Sequence, residues 1–297
     1  VILCTGGSGQ LGNALQSAAA AREISLAAVS RPEFDFERPE TIDACFARVK
    51  PSIIINAAAY TAVDAAEQNI AAAEAGNHNG PLRLAQLCAG AGIPFIHVST
   101  DYVFDGEKGA PYLETDPTNP TGVYGRTKRD GERAILGTCK QTIILRTAWV
   151  YSAHGKNFAR TMLTAARKTN QLKVVRDQRG TPTAAPDLAA AILDIVTKVQ
   201  ENGWQESDAG LYHATSSGET TWYGFALAIF EAALPCGLTP PSVTPISTAD
   251  WPTPAKRPAD SRLDCAKLAR HFGVTLPDWR NSLPGIVRDL LAQMPPA

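Results

Sequence analysis

Val1-Ile2-Leu3-Cys4-Thr5-Gly6-Gly7-Ser8-Gly9-Gln10-Leu11-Gly12 opens the chain. Its four leading apolar residues read as a short buried strand. Gly6, Gly9 and Gly12 then follow as G-x-x-G-x-x-G, and a helix is predicted over Gln10 to Ala21. Glycine permits a tight turn and lets a phosphate come close to the backbone. At the start of a helix, free N–H groups and the positive dipole end favour that anion. A lone glycine turn is weak evidence, but one placed between a strand and a helix is much stronger. Gly6, Gly9, Gln10, Leu11 and Gly12 are therefore candidate dinucleotide-binding residues.

Working outward, Ile24 to Val29 reads as the second strand, ending in Ser30-Arg31. Dinucleotide folds commonly place an acid here for the ribose hydroxyls. A hydroxyl and a guanidinium suit a 2'-phosphate better, so NADPH is expected, with NADH possible. A solvated turn before Pro32 is the plainer reading of the same residues. Asp35 can touch the adenine while Phe36 lines it, or Asp35 can cap the helix predicted over Thr41 to Val49. Ser52-Ile53-Ile54-Ile55 is a strand apolar enough to be buried on both faces. It runs into Asn56, Ala57, Ala58, Ala59, Tyr60 and Thr61, where small side chains let a cofactor reach the backbone. A helix over Asn77 to Ala91, a strand over Phe95 to Val98 and a strand over Thr142 to Leu145 continue the alternation. The fold class is α/β: a Rossmann-type doubly wound parallel sheet, with ligands at the C-terminal strand ends. Asn56, Thr100 and Trp149 fall at such ends.

The stretch with most chemistry is Ser99-Thr100-Asp101-Tyr102-Val103-Phe104-Asp105-Gly106, followed after a Pro-rich loop by Tyr124-Gly125-Arg126-Thr127-Lys128. Residues four apart share a helix face, so Tyr124 and Lys128 can enter one cleft while Thr100 arrives from a strand. An ammonium beside a phenol is expected to lower the phenol toward neutrality. Such a phenol suits proton transfer with a ketone or sugar oxygen. On its own, Tyr-x-x-x-Lys is more often a solvated helix face.

Bulk composition excludes several classes. Basic and acidic residues nearly cancel, at 28 and 29, and no basic block stands out, so no nucleic-acid surface is expected. No apolar run is long enough for a membrane span, and the chain opens on a strand rather than a leader peptide. Cys4, Cys45, Cys88, Cys139, Cys236 and Cys265 form no C-x-x-C pair. Reduced, buried thiols in a cytoplasm are expected rather than disulfides or zinc.

The second half changes character. Asn157 lies near the start of a helix predicted from His154 to about Thr169, and a loop is read over Gln178 to Thr183. An Ala-rich helix from Asp187 to Val199 can pack back on the sheet. Leu211 to Ala214 reads as a strand, and Leu283 to Gln293 as the closing helix. Between them, Pro252 to Pro258 is stiffened by its prolines. Arg257 and Arg262 on this loop suit bidentate phosphate binding, or form a salt-bridged surface loop.

Gly6-x-x-Gly9-x-x-Gly12, Asn56-Ala57-Ala58-Ala59, the Ser99 to Gly106 stretch and Tyr124-x-x-x-Lys128 resemble the extended short-chain dehydrogenase/reductase superfamily. Arg146-Thr147-Ala148-Trp149-Val150-Tyr151, Asn157-Phe158-Ala159, Gly180-Thr181-Pro182-Thr183 and Arg257-Pro258-x-x-Ser261-Arg262-Leu263 are similar to its dTDP-4-dehydrorhamnose reductase family. The likeness runs through nearly the whole chain. It implies NAD(P)H-dependent reduction of the C4 ketone of dTDP-6-deoxy-L-lyxo-4-hexulose. It also implies a Rossmann domain of residues 1–150 and 184–215, with a smaller α/β C-terminal substrate domain of residues 151–183 and 216–297.

By the same resemblance, Tyr124 is the general acid, Lys128 binds the nicotinamide ribose and depresses Tyr124, and Thr100 orients the ketone oxygen. Asp101, Tyr102, Asn157, Arg257 and Arg262 are implied around substrate, and Tyr102 also beside the cofactor. Trp149 either holds the sugar or nicotinamide or is wall packing. Some members of that family dimerise around magnesium held by acids near the first helix and after Gly-x-Pro-Thr. Here those stretches read Asn13-Ala14-Leu15-Gln16 and Ala184-Ala185-Pro186-Asp187, leaving one acid. No structural metal is expected, and a monomer or a metal-independent dimer follows. Two alternatives stand: a reductase of another nucleotide-4-ketosugar, or a non-catalytic dinucleotide-binding subunit like that of methionine adenosyltransferase.

Overall fold

The computed structural model describes residues 1–294. Its first half runs β1 (Ile2–Thr5), α1 (Gln10–Ala21), β2 (Leu26–Val29), α2 (Pro39–Val49), β3 (Ile53–Asn56), α3 (Val63–Ala66) and α4 (Ile70–Glu74). A π-helical turn, Ala75–Asn79, leads into α5 (Gly80–Ala91), then β4 (Phe95–Thr100), α6 (Val123–Thr138) and β5 (Thr142–Thr147). The second half runs β6 (Val150–Tyr151), α7 (Phe158–Ala166), β7 (Gln171–Val175), β8 (Arg179–Gly180), β9 (Thr183–Ala184), α8 (Ala185–Asn202) and β10 (Gly210–His213). It ends with β11 (Thr220–Thr221), α9 (Trp222–Ala233), β12 (Ser242–Ile246), α10 (Ala266–Phe272) and α11 (Trp279–Ala292).

Six of the strands form one parallel sheet in the order β2-β1-β3-β4-β5-β10. Alternate residues along each strand serve opposite faces. Ile2 and Cys4 pack with Leu11 and Leu15 of α1 and with Leu188, Ile192 and Val196 of α8. Leu3 and Ile54 pack with Ile42 of α2, Leu84 of α5 and Ile135 of α6. Each fully buried aliphatic side chain in these layers stabilises by about 1.5–3 kcal/mol. The strand order reverses at β1, between β2 and β3, and a sheet of this kind opens its binding crevice at such a point. Smaller pairings, β6 with β9, β7 with β12 and β8 with β11, carry the remaining helices. Leu163 of α7, Phe225 of α9 and Trp279, Leu283 and Val287 of α11 close a separate core there.

Several boundaries differ from expectation. The second strand starts at Leu26 rather than Ile24, and β4 continues through Ser99 and Thr100. The helix expected over Asn77 to Ala91 begins with the last residues of the π turn, where the buried Asn77 side-chain amide accepts from Tyr60 N–H and donates to the Tyr60 carbonyl and to Thr127. The loop expected over Gln178 to Thr183 contains two short strands. Cys236 is exposed and Cys265 half-buried, so the thiols are not uniformly buried, although all six are free. No helix among the described residues is long and apolar enough to cross a membrane.

Candidate active site

Because the sheet is parallel, β1, β3, β4 and β5 end on the same edge, and the predicted residues gather there. After β1 the chain turns through Gly6 at φ +73. A Cβ on Gly12 would lie 2.1 Å from the Gly6 carbonyl oxygen, so the turn closes on α1 only with glycine at that position. The first turn of α1 carries no acidic residue. A cradle of bare backbone at a helix N-terminus fits a pyrophosphate. The Ala57–Ala58 backbone lies directly against Gly6.

Beside this cradle, Ser30 accepts a hydrogen bond from the Ser8 N–H at 2.8 Å, tying the end of β2 to the glycine turn. Arg31 is exposed at the same corner. Asp35 does not cap α2: its carboxylate accepts from Glu37 N–H in the preceding turn, and Arg38 occupies the cap position. Phe36 is a buried core residue, packed with Phe34 and against Gly80. It supports this corner from beneath. Thr61 is exposed and Tyr60 is pinned by Asn77.

Tyr124 sits in the first turn of α6. That helix starts where the Glu67 carboxylate accepts the Val123 N–H at 2.8 Å. A Cβ on Gly125 would meet the Tyr102 carbonyl oxygen at 2.1 Å, so glycine lets the segment after β4 press against the helix. The Tyr102 and Tyr124 rings meet edge to face at 5.5 Å. Thr100, at the end of β4, donates to the Asp101 carboxylate at 3.0 Å. Its oxygen also accepts from the Tyr102 N–H at 3.2 Å.

The electrostatics differ from the expected lowered phenol. Burial pushes Tyr124 up to about 12; the Thr100 hydroxyl opposes this and the Asp101 charge adds to it. Lys128 Nζ makes its polar contacts with β4. It donates to the Val98 carbonyl at 2.7 Å and lies 3.2 Å from His97 Nε2. Burial brings Lys128 down to about 8, against the raising influence of Glu132. Burial also pushes Asp101 up to about 6, opposed by the bond from Thr100. A phenol held protonated beside a hydroxyl is the state a proton donor needs.

The remaining predicted residues divide. Trp149 follows β5 with φ +48, a rare conformation for so bulky a residue and one found at ligand sites. Its ring stacks on Trp222 at 3.5 Å and lies over Gly180, so it is both wall and half-exposed face. Asn157 caps α7 by accepting from Arg160 N–H, while its amide donates to Gln10 at 3.0 Å. It therefore links the second half to the start of α1. Neither loop arginine presents a free guanidinium. Arg257 grips Asp64 through two bonds of 2.7 Å, and Arg262 pairs with Asp260 and Glu219. The salt-bridged alternative describes both. Asp187 accepts from Ser282 at 2.7 Å, and no group of ligating side chains able to hold a metal occurs among the described residues.

Sequence reasoning missed Glu67, Asp64, Trp222 and His97. The first three lie far along the chain from their partners. His97 was hidden as one polar residue inside an apolar strand.

The sequence model described as RmlD substrate binding domain matches residues 1–292. A dTDP-4-dehydrorhamnose reductase of Burkholderia thailandensis is 44% identical over 298 residues, spanning 98% of this chain and 99% of that protein. The chain belongs to the dTDP-4-dehydrorhamnose reductase family. A crystal structure of a dTDP-4-dehydrorhamnose reductase from Bacillus anthracis in complex with NADP superimposes with a TM-score of 0.88 at 30% identity, covering 96% of this chain and 97% of that one. Among members at similar distance is a probable dTDP-4,6-dihydroxy-2-methyloxan-3-one 4-ketoreductase of Streptomyces antibioticus. It is 39% identical, over 98% of this chain and 95% of that protein.

Proposed function

We propose that the protein reduces the C4 ketone of dTDP-6-deoxy-L-lyxo-4-hexulose to give dTDP-L-rhamnose, with NADPH as reductant. The observation that carries this reading is that Thr100 ends β4 while Tyr124 and Lys128 stand one turn apart on α6, with Lys128 bonded to β4 at Val98, on the sheet edge that bears the glycine cradle. NADPH, when bound, supplies the hydride. Gly6, Gly9 and Gly12 hold its pyrophosphate on the N-terminus of α1, and Arg31 meets the 2'-phosphate. Thr100 orients the ketone oxygen. Tyr124 gives that oxygen its phenolic proton as negative charge develops there, and Lys128 holds the ribose. Asp101, Tyr102 and Trp149 line the sugar. Arg257 and Arg262 reach the diphosphate only after exchanging a carboxylate partner for a phosphate oxygen.

Residues 1–150 with 184–215 form the cofactor domain in this reading, and the rest binds the nucleotide-sugar. The enzyme works in the cytoplasm as a monomer or a metal-independent dimer. The deciding experiment is oxidation of NADPH that depends on the sugar, with NADH run in parallel. A second reading keeps the dTDP moiety and changes the sugar, favoured by the 39% identical relative named for a different dTDP-ketosugar. Running both ketosugars side by side separates the two.

A further inference from the structure

Behind the proposed catalytic pair, four buried polar side chains form one chain of hydrogen bonds. Thr5 Oγ1 and the Ala58 N–H both donate to Asn56 Oδ1. Asn56 Nδ2 lies 2.9 Å from His97 Nδ1, and His97 Nε2 lies 3.2 Å from Lys128 Nζ. Asn56, His97 and Thr5 have no exposed surface, and Lys128 has 1%.

The direction of each bond follows from chemistry. A backbone N–H can only donate, so Ala58 fixes which end of the Asn56 amide is oxygen. The Asn56 NH₂ group therefore faces His97 Nδ1, which must accept. Burial holds His97 well below the ordinary imidazole range, so the ring is neutral. A neutral ring that accepts at Nδ1 carries its proton on Nε2, a tautomer assigned here from the network. That proton points at Lys128 Nζ, and an ammonium has no lone pair to receive it.

We propose that His97 is a positioning residue that acts through Lys128: held by Asn56 in its Nε2–H tautomer, it withholds an acceptor from Lys128 Nζ and so eases loss of the Lys128 proton in the cofactor-free protein. The Val98 carbonyl takes one amine proton, at 2.7 Å. Other charged or titratable groups near Lys128 are already engaged. Glu132, one turn on along α6, is held by Arg146 of β5 and Ser99 of β4. Tyr124 packs edge to face on Tyr102, and Asp101 takes the Thr100 proton. The π turn presents Asn77, which is uncharged. Lys128 is thus set to give and take a proton near neutral pH.

The kinetic arm of the test rests on the proposed reductase activity, and the spectroscopic arm does not. Nitrogen-15 NMR of the cofactor-free protein, with His97 assigned by comparison with His97→Gln, should show a neutral ring protonated on Nε2. A proton on Nδ1 would overturn the inference. Asn56→Asp reverses the polarity of the network: a carboxylate accepts from Nδ1–H, leaving a lone pair on Nε2 for an ammonium. His97→Gln offers Lys128 a carbonyl. Both variants should move the alkaline limb of the kcat/KM profile upward by about one pH unit. A change in maximal rate with the limb unmoved would mean that His97 is structural only, and would sink the proposal. Wild-type protein with the Nε2–H tautomer but no sugar-dependent turnover would support the inference and contradict the reductase reading instead.

Discussion

Glu67 caps the helix that presents Tyr124: its carboxylate accepts the Val123 N–H at 2.8 Å from outside α6. The first turn of a helix leaves N–H groups without partners, and an acceptor placed there stabilises it by about 1 kcal/mol. Tyr124 is the next residue, so the same bond fixes the angle at which the phenol enters the cleft. Glu67→Ala should lower stability by about 1 kcal/mol and lower kcat more than it raises KM. Glu67→Gln keeps an accepting oxygen and should restore most of both. Thermal unfolding and steady-state kinetics on the two variants check this.

Tyr124→Phe removes only the phenolic oxygen, leaving the ring to pack against Tyr102. Turnover should fall by about a hundredfold or more. NADPH affinity, measured by fluorescence titration, should stay nearly unchanged. Retained turnover would remove Tyr124 as the acid.

Lys128 is buried with its protonation opposed, so it costs stability. Its folded value of about 8 lies below the ordinary 10.5. Between those limits the unfolded chain binds a proton that the folded chain has lost. Stability therefore rises as pH is raised through that window, and the full cost is present below it. Lys128→Met should raise stability at neutral pH by about 1–3 kcal/mol, flatten this pH dependence and remove most of the turnover. Denaturant unfolding at several pH values measures it.

Much of the fold could be read because strands buried on both faces stand out as apolar runs, as Ile53 to Ile55 does. The chemistry at the strand ends could be read because Gly6 to Gly12, Thr100 and Tyr124 to Lys128 are local patterns. What could not be read depends on distant partners or on burial. Arg257 and Arg262 looked free because Asp64, Asp260 and Glu219 reach them only through the fold. Tyr124 looked like a lowered phenol because spacing places Lys128 on its face. Spacing does not reveal that the ammonium turns toward His97, nor that the phenol is desolvated.

Gly12→Ala places a Cβ 2.1 Å from the Gly6 carbonyl oxygen and forces the cradle open. It should weaken NADPH binding by about tenfold or more and cost about 1–3 kcal/mol of stability. Gly137→Ala, at a helical position with open space around it, is the control. It should leave binding unchanged and stabilise by about 0.5–1 kcal/mol.

Arg31 stands exposed beside the Ser8–Ser30 bond, free to meet a phosphate. Replacing it by Asp sets a like charge against the 2'-phosphate and an acceptor against a ribose hydroxyl. The ratio of kcat/KM for NADPH over NADH should fall by about tenfold or more. An unchanged ratio would show that Ser30 and Arg31 do not read the 2'-phosphate.

Sugar-dependent reduction is measured most directly by the loss of reduced-nicotinamide absorbance when wild-type protein meets NADPH and dTDP-6-deoxy-L-lyxo-4-hexulose generated in place. Rapid oxidation that requires the sugar and stops with Tyr124→Phe is the expected result. NADPH binding without sugar-dependent oxidation would contradict the reductase reading.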